Sequence, residues 1–364
     1  MRWDGQRLEA DDGALPELTR PDLALAGLVR SVRTPDFAGV TFHEVAAKSA
    51  LNKVPAASAM PFRWTVNPMR GCLHACSYCF ARPTHEYLEL DAGRDFETQI
   101  VVKTNVVEVL RVELARPSWR REHVALGTNT DPYQRAEGRY RLMPGIIDAL
   151  ASSGTPFSVL TKGTLLRRDV PALVEASQRV PVGLAISLAV LDHDLQQSVE
   201  PGTPTARARL DLVRALREAG LPCGVLVAPV MPWLTDSVEH LDALLGELAA
   251  AGATGVTALP LHLRGSVKPW FLRWLASERP DLVGRYRRLY GSGAYVPTEY
   301  RDWLHARLRP LLAAHGFGSE ASRQPDGAVR ADEGSFPRGS IARWDWGGAA
   351  PPAAADLGSQ PVLF

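Results

Sequence analysis

Only four of the 364 residues are cysteine, and the formal net charge is no more than +1. A charge balance this close to zero excludes a global field that would draw the whole molecule onto nucleic acid or an anionic membrane, so any such attraction has to come from local patches. No apolar run reaches membrane-spanning length, because charges interrupt every candidate. The opening residues, MRWDGQRLEADDG, lack the apolar core of a signal peptide. A cytoplasmic location is therefore expected, where thiols stay reduced. There a tight group of cysteines reads as metal binding or catalysis rather than as a disulfide framework.

The length suits one large α/β domain with extensions, or two ordinary domains. Residues 1–60 read as an irregular N-terminal extension. From about Arg63 to His262, short β-rich runs alternate with helical stretches, the pattern of βα units around a parallel sheet. Six strands are predicted: Arg63–Asn67, His123–Gly127, Phe157–Thr161, Val182–Ser187, Gly224–Ala228 and Thr254–Leu259. Helices are predicted over Asp211–Ala219 and Val238–Ala251, each stopped by a glycine at the next position. A strand at Gln99–Lys103 and a helix at Val106–Ala115 read as an insertion after the first unit. Six units make an α/β fold of the partial (β/α)6 TIM-type barrel kind over residues 61–263, with a doubly wound sheet as the alternative. Residues 264–317 read as a basic, aromatic helical cap. Residues 318–364, rich in Gly, Pro, Ala and Ser, are expected to be disordered or extended.

Three of the four cysteines stand at Cys72, Cys76 and Cys79, directly after the first predicted strand, in the segment NPMRGCLHACSYCF. Active-site loops of barrels occupy this position. A [4Fe–4S] cubane ordinarily takes four cysteines. Here the fourth, Cys223, is remote, so one iron would lack a protein ligand and could bind an external chelate. The competing reading is a structural zinc site with His74 as fourth ligand, or a non-catalytic metal-binding module. Zinc ligands usually come as two separated pairs, and a C-x-H-x-C core would be strained.

The C-x3-C-x2-C spacing, with aromatic Tyr78 before the last cysteine, resembles the motif of the radical S-adenosylmethionine (SAM) superfamily. That resemblance implies a partial (β/α)6 barrel and a [4Fe–4S] cluster on Cys72, Cys76 and Cys79, with the amino and carboxylate groups of SAM chelating the open iron. It further implies reductive cleavage of SAM to a 5′-deoxyadenosyl radical that abstracts hydrogen from a substrate. An external electron donor of flavodoxin or ferredoxin type is implied as well. The segments GTNTDPYQ, LTKGT and EPGTP are similar to the spore photoproduct lyase-like branch. The stretch SALNK at Ser49–Lys53 fits a bacterial subgroup of that branch. The likeness extends over about residues 45–265, with Met69 standing where most members have Tyr. By position it implies that Thr130 meets the methionyl amino end of SAM, Lys162 its carboxylate, Ser187 the ribose or carboxylate, and Tyr78 the adenine. Glu200 is expected to pair with Arg207 or to contact SAM. No catalytic residue is assigned. The branch's lyase uses a cysteine between its cluster motif and the middle of its barrel as hydrogen donor. This chain has no cysteine between Cys79 and Cys223.

Two features bear on the substrate. Between Arg264 and Pro310 there are ten Lys/Arg against four Asp/Glu, interleaved with Trp270, Phe271, Trp274, Tyr286, Tyr290, Tyr295, Tyr300 and Trp303. Basic residues among stacking aromatics suit DNA or RNA, while Phe271 and Trp274, three apart, equally suit a cap packed on the barrel. The last five residues, Gln360-Pro-Val-Leu-Phe364, resemble the peptide by which repair factors dock on the sliding clamp. Nucleic acid and the clamp are thus candidate partners; a peptide or small metabolite is the alternative substrate class.

Overall fold

The computed structural model describes residues 25–55, 58, 60–317 and 336–341. Among the described residues the strands are β1 (Leu28–Val32), β2 (Thr41–Val45), β3 (Leu51–Lys53), β4 (Trp64–Val66), β5 (Met69–Arg70), β6 (Gln99–Lys103), β7 (Val124–Leu126), β8 (Phe157–Thr161), β9 (Val182–Ser187), β10 (Gly224–Val230) and β11 (Gly255–Pro260). The larger sheet runs β11-β10-β9-β8-β7-β4-β3. Its six parallel members, β4 and β7 to β11, are the six predicted strands. They lie side by side in chain order. A doubly wound sheet reverses its order part-way, so the order selects the partial barrel. The sheet ends at β11 on one side and at β3 on the other.

Parallel strands covered on both faces carry continuous apolar runs, which is why these six were readable. All six residues of β9, VGLAIS, are buried. Helices return the chain between strands. Thr205 caps the helix Ala206–Glu218 by accepting from the Ala208 amide at 3.3 Å. Ser237 does the same for Val238–Ala250, from the His240 amide at 3.1 Å.

The N-terminal region is more regular than its sequence suggests. β1 and β2 join β6 and β5 in a second, four-stranded sheet of order β1-β2-β6-β5. Polar side chains disguise β2: His43 bonds Ser31 and Gln99, and Glu44 bonds Arg30 and Tyr140. Residues of the SALNK stretch form β3, which pairs antiparallel with β4. The Glu113 carboxylate pins its start by accepting from the Ala50 and Leu51 amides at 2.9 and 2.8 Å.

The cap consists of helices Val267–Glu278, Pro280–Tyr290 and Thr298–Ala314. Phe271, Tyr286 and Tyr290 are buried in it. Tyr286 donates its hydroxyl to the Pro232 carbonyl, and Tyr290 to that of Leu261, both at 2.7 Å. These aromatics seat the cap on the barrel.

Within the stretch expected to be disordered, residues 336–341 instead pack against the amino ends of the barrel strands. The Leu184 amide donates to the Ser340 carbonyl at 3.0 Å, and Phe336 packs on His123 with centroids 4.1 Å apart and the rings tilted by 48°. Three small residues, Gly183, Gly224 and Gly255, leave the room that this segment fills. The clamp-like terminus, residues 360–364, lies outside the described residues.

Candidate active site

The chain leaves β4 and β5 at the carboxyl ends of the barrel strands and turns into the loop that carries Cys72, Cys76 and Cys79. Its shape is imposed from outside. Gly71 sits at φ +81°, where an added Cβ would stand 2.8 Å from the Phe96 carbonyl oxygen. The Cys72 amide donates to that same oxygen at 2.9 Å. Arg82, buried, donates to the carbonyls of Ala75 (3.1 Å), Cys76 (3.0 Å) and Gly93 (2.6 Å) and pairs with Glu97 at 2.8 Å. Its guanidinium lies over the rings of Phe96 and Trp270, 5.3 and 4.7 Å from their centroids. One arginine therefore satisfies the inward carbonyls of the loop and ties it to the cap.

Opposite Arg82, the stretch Glu200-Pro-Gly-Thr203 presses on the loop. An added Cβ at Gly202 would stand 1.9 Å from the Leu73 carbonyl oxygen, so only glycine permits this approach. The Gly202 amide donates to the His74 carbonyl at 3.1 Å, and the Ser77 amide to that of Val199 at 2.9 Å.

Glu200 is the hub of the polar strand ends. It is fully buried and binds four partners. Oε1 accepts from the Tyr78 hydroxyl and from Lys162 Nζ at 3.0 Å; Oε2 accepts from Arg209 Nη2 at 2.7 Å and Thr203 at 3.2 Å. Burial acts to raise its pKa, but the charges of Lys162 and Arg209 outweigh it and hold the carboxyl far below its ordinary range. Lys162 also donates to Ser187 Oγ at 2.8 Å and lies 5.6 Å from the Tyr78 ring centroid. The expected partner Arg207 is exposed; Arg209 faces inward instead.

Tyr78, Lys162 and Ser187 thus meet in one network beside Cys76. Thr130 stands apart from it. Its hydroxyl donates to the Gly71 carbonyl at 2.6 Å and accepts from Gln134 Nε2 at 2.8 Å, so it braces the cysteine loop. Asp131 accepts from the Lys162 amide and the Thr161 hydroxyl. Its Oδ2 also lies 3.2 Å from His74 Nε2, an ion-pair distance without hydrogen-bond alignment.

That contact, with His74 Nδ1 on the Gly202 carbonyl at 3.1 Å, turns the imidazole away from a zinc-ligand role. Among the described residues, no three His, Cys, Asp or Glu converge on a point fit for a single ion. The three cysteines are free thiols. Burial pushes all three pKa values up, most strongly at Cys72, where Asp131 adds to it, and at Cys76, where Glu200 does. Three thiols on one braced loop, Cys72 and Cys76 buried and Cys79 half-buried, suit separate irons of a cluster, whose positive charge would keep them as thiolates.

Residues 66–245 match the profile of the radical SAM superfamily. An uncharacterised protein of Mycobacterium tuberculosis is 64% identical over 330 residues, covering 89% of this chain and 96% of its own length. The chain is a member of the radical SAM superfamily. A protein of the archaeon Methanocaldococcus jannaschii is 26% identical over 200 residues, 54% of this chain and 70% of its own. Among solved structures, spore photoproduct lyase complexed with dinucleoside spore photoproduct superposes with a TM-score of 0.58 at 15% identity, over 75% of this chain and 79% of that one. A point mutant of the lyase gives 0.58 at 16%, over 76% and 80%. At such identities the likeness concerns the fold.

Radical SAM enzymes use a [4Fe–4S] cluster and SAM and need an external electron donor, so these are the cofactors and the partner class here. Among the described residues, no helix is long and apolar enough to cross a membrane. Cys223 is fully buried at the start of β10, the end of the barrel remote from the cysteine loop, and burial pushes its thiol up to about 12. It is a packing residue there. Sequence reading missed Arg82, Gln134 and Arg209. Only Arg82, three residues past the last cysteine, offered a local signal.

Proposed function

We propose that this radical SAM enzyme acts on nucleic acid, as a DNA-repair or modification enzyme of lyase type. The observation that carries the reading is the division of the cap's aromatics. Phe271, Tyr286 and Tyr290 are buried, whereas Tyr295 and Trp303 stay 42% exposed, each with an arginine over its face. Arg264 lies 5.0 Å from the Tyr295 centroid and Arg307 4.0 Å from that of Trp303. Exposed rings with cations beside them suit unstacked bases and a phosphate backbone. The complex of spore photoproduct lyase, which shares the fold, with a dinucleoside photoproduct is in keeping with this substrate class.

Cys72, Cys76 and Cys79 hold the cluster in this reading, and Lys162, Ser187 and Tyr78 face SAM, with Lys162 drawing the carboxylate. When bound and reduced, the cluster and SAM supply a 5′-deoxyadenosyl radical that abstracts hydrogen. The chain's own work is to orient and enclose. Glu200 aims Lys162, Thr130 fixes Gly71, and Arg82 fixes the loop. Cys223 is out of reach as a hydrogen donor, so the product radical is quenched differently from the cysteine-dependent lyase reaction.

Binding of single-stranded DNA should weaken steeply with salt, as counterion release requires, and deuterium from a labelled oligonucleotide should enter 5′-deoxyadenosine. Weak, salt-independent binding together with deuterium arriving from a peptide or metabolite pool would overturn the reading. Recruitment through Gln360–Phe364 is tested by mixing purified clamp with the full chain and with a chain ending at Ser359. Equal failure of both to bind removes that part.

A further inference from the structure

Beside the cysteine loop stands a row of rings that the radical machinery does not use. Phe80, the residue after Cys79, is 50% exposed, and Tyr295 is 42% exposed. His262 bridges them, with centroids 6.0 Å from Phe80 and 5.8 Å from Tyr295. Three separate parts of the chain meet here: the cysteine loop after β4 and β5, the segment after β11, and the turn after helix Pro280–Tyr290.

The row is held rigidly. The Leu263 amide donates to the Ala294 carbonyl at 2.7 Å, while Lys268 Nζ donates to the carbonyls of Gly291 and Gly293 at 2.7 and 2.8 Å. Tyr290 clamps the same region through Leu261, and Val296, next to Tyr295 in the chain, is buried. Tyr295 is therefore presented to solvent by a turn tied down on both flanks. His262 Nδ1 is buried without a hydrogen-bond partner, an arrangement that costs stability and that packing alone does not explain. Burial, with Arg264 adding to it, lowers the pKa of His262 and keeps the ring neutral at physiological pH. Among the described residues, no carboxylate pairs with the exposed Arg264.

We propose that Phe80, His262 and Tyr295 form a stacking platform for an unpaired nucleobase of the substrate, with Arg264 meeting the adjoining phosphate. The proposal rests on the nucleic-acid reading above and adds the place where a base is held. Placement next to Cys79 means that a base stacked here brings its strand to the barrel mouth. The planar rings accept any base face, so the platform selects for an unstacked base rather than for a sequence.

The test uses the cluster-loaded full chain and a single-stranded oligonucleotide carrying 2-aminopurine, whose fluorescence falls on stacking. The unaltered chain should quench it. Tyr295→Ala should weaken binding about tenfold and abolish most of the quench, with Tyr295→Phe restoring both. Arg264→Gln should weaken binding and reduce the salt slope by about one. Arg309→Gln, which removes an exposed cation elsewhere on the cap, should spare the quench. Saturating SAM should leave the quench in place; displacement by SAM would assign the rings to its adenine and overturn the proposal. Tight oligonucleotide binding that Tyr295→Ala and Arg264→Gln leave unchanged would overturn the platform alone. No oligonucleotide binding by the unaltered chain would overturn the platform and the nucleic-acid reading together.

Discussion

Arg209 and Glu200 face each other at 2.7 Å with neither side chain reaching solvent. Lys162 pairs with the other carboxylate oxygen, so one acid balances two cations in the barrel interior. Removing one member leaves buried charge uncompensated. Glu200→Gln should therefore cost about 3–5 kcal/mol, read from denaturant unfolding of the cluster-free chain.

The same carboxylate fixes a pH dependence. Its pKa is lower in the folded chain than its ordinary value of 4.5. Below that value the unfolded chain binds the proton and the folded chain does not, so acid favours unfolding. The contribution is full above 4.5 and is lost as pH falls through the depressed value. Thermal midpoints taken from neutral pH to about pH 3 should fall more steeply for the unaltered chain than for Glu200→Gln. Parallel curves would contradict this.

Arg82→Lys should lower the iron content of reconstituted protein while the barrel's circular dichroism persists. A lysine cannot span the carbonyls of Ala75, Cys76 and Gly93 with one planar fork. The carbonyls left unpaired cost about 1–3 kcal/mol each. Iron per chain equal to that of the unaltered protein would rule out a bracing role.

Cys76→Ala should lose cluster iron and reduce 5′-deoxyadenosine formation to background under reducing, oxygen-free conditions. Cys223→Ala, at the remote end of β10, should keep both. A Cys76→Ala protein that still cleaves SAM would contradict the assignment of the ligands.

The six barrel strands and the cysteine loop were legible because each is a local pattern: apolar runs for strands buried on both faces, and thiols spaced within one turn-rich segment. The braces were not, because each joins distant parts of the chain. Glu200 meets Tyr78 and Lys162 from far along the sequence. Arg207 and Arg209 are interchangeable as letters, and only packing turns the second inward, since residues two apart on a helix point to different sides. β2 was hidden because its His43 and Glu44 read as surface residues until their cross-strand partners are known. The short packed piece at Phe336 sits in low-complexity sequence that offers no period.

Phe336→Ala should cost about 3 kcal/mol, as a buried aromatic truncated to alanine does. A thermal midpoint unchanged by the substitution would show that the segment is not part of the fold's support.

That segment, with Phe336 against His123 and Ser340 against Leu184, has an architectural meaning too. It closes the end of the barrel remote from the cysteine loop with residues that follow the cap in sequence. The support of the barrel's base is thereby separate from the braces of the site, so the one can be weakened without touching the other.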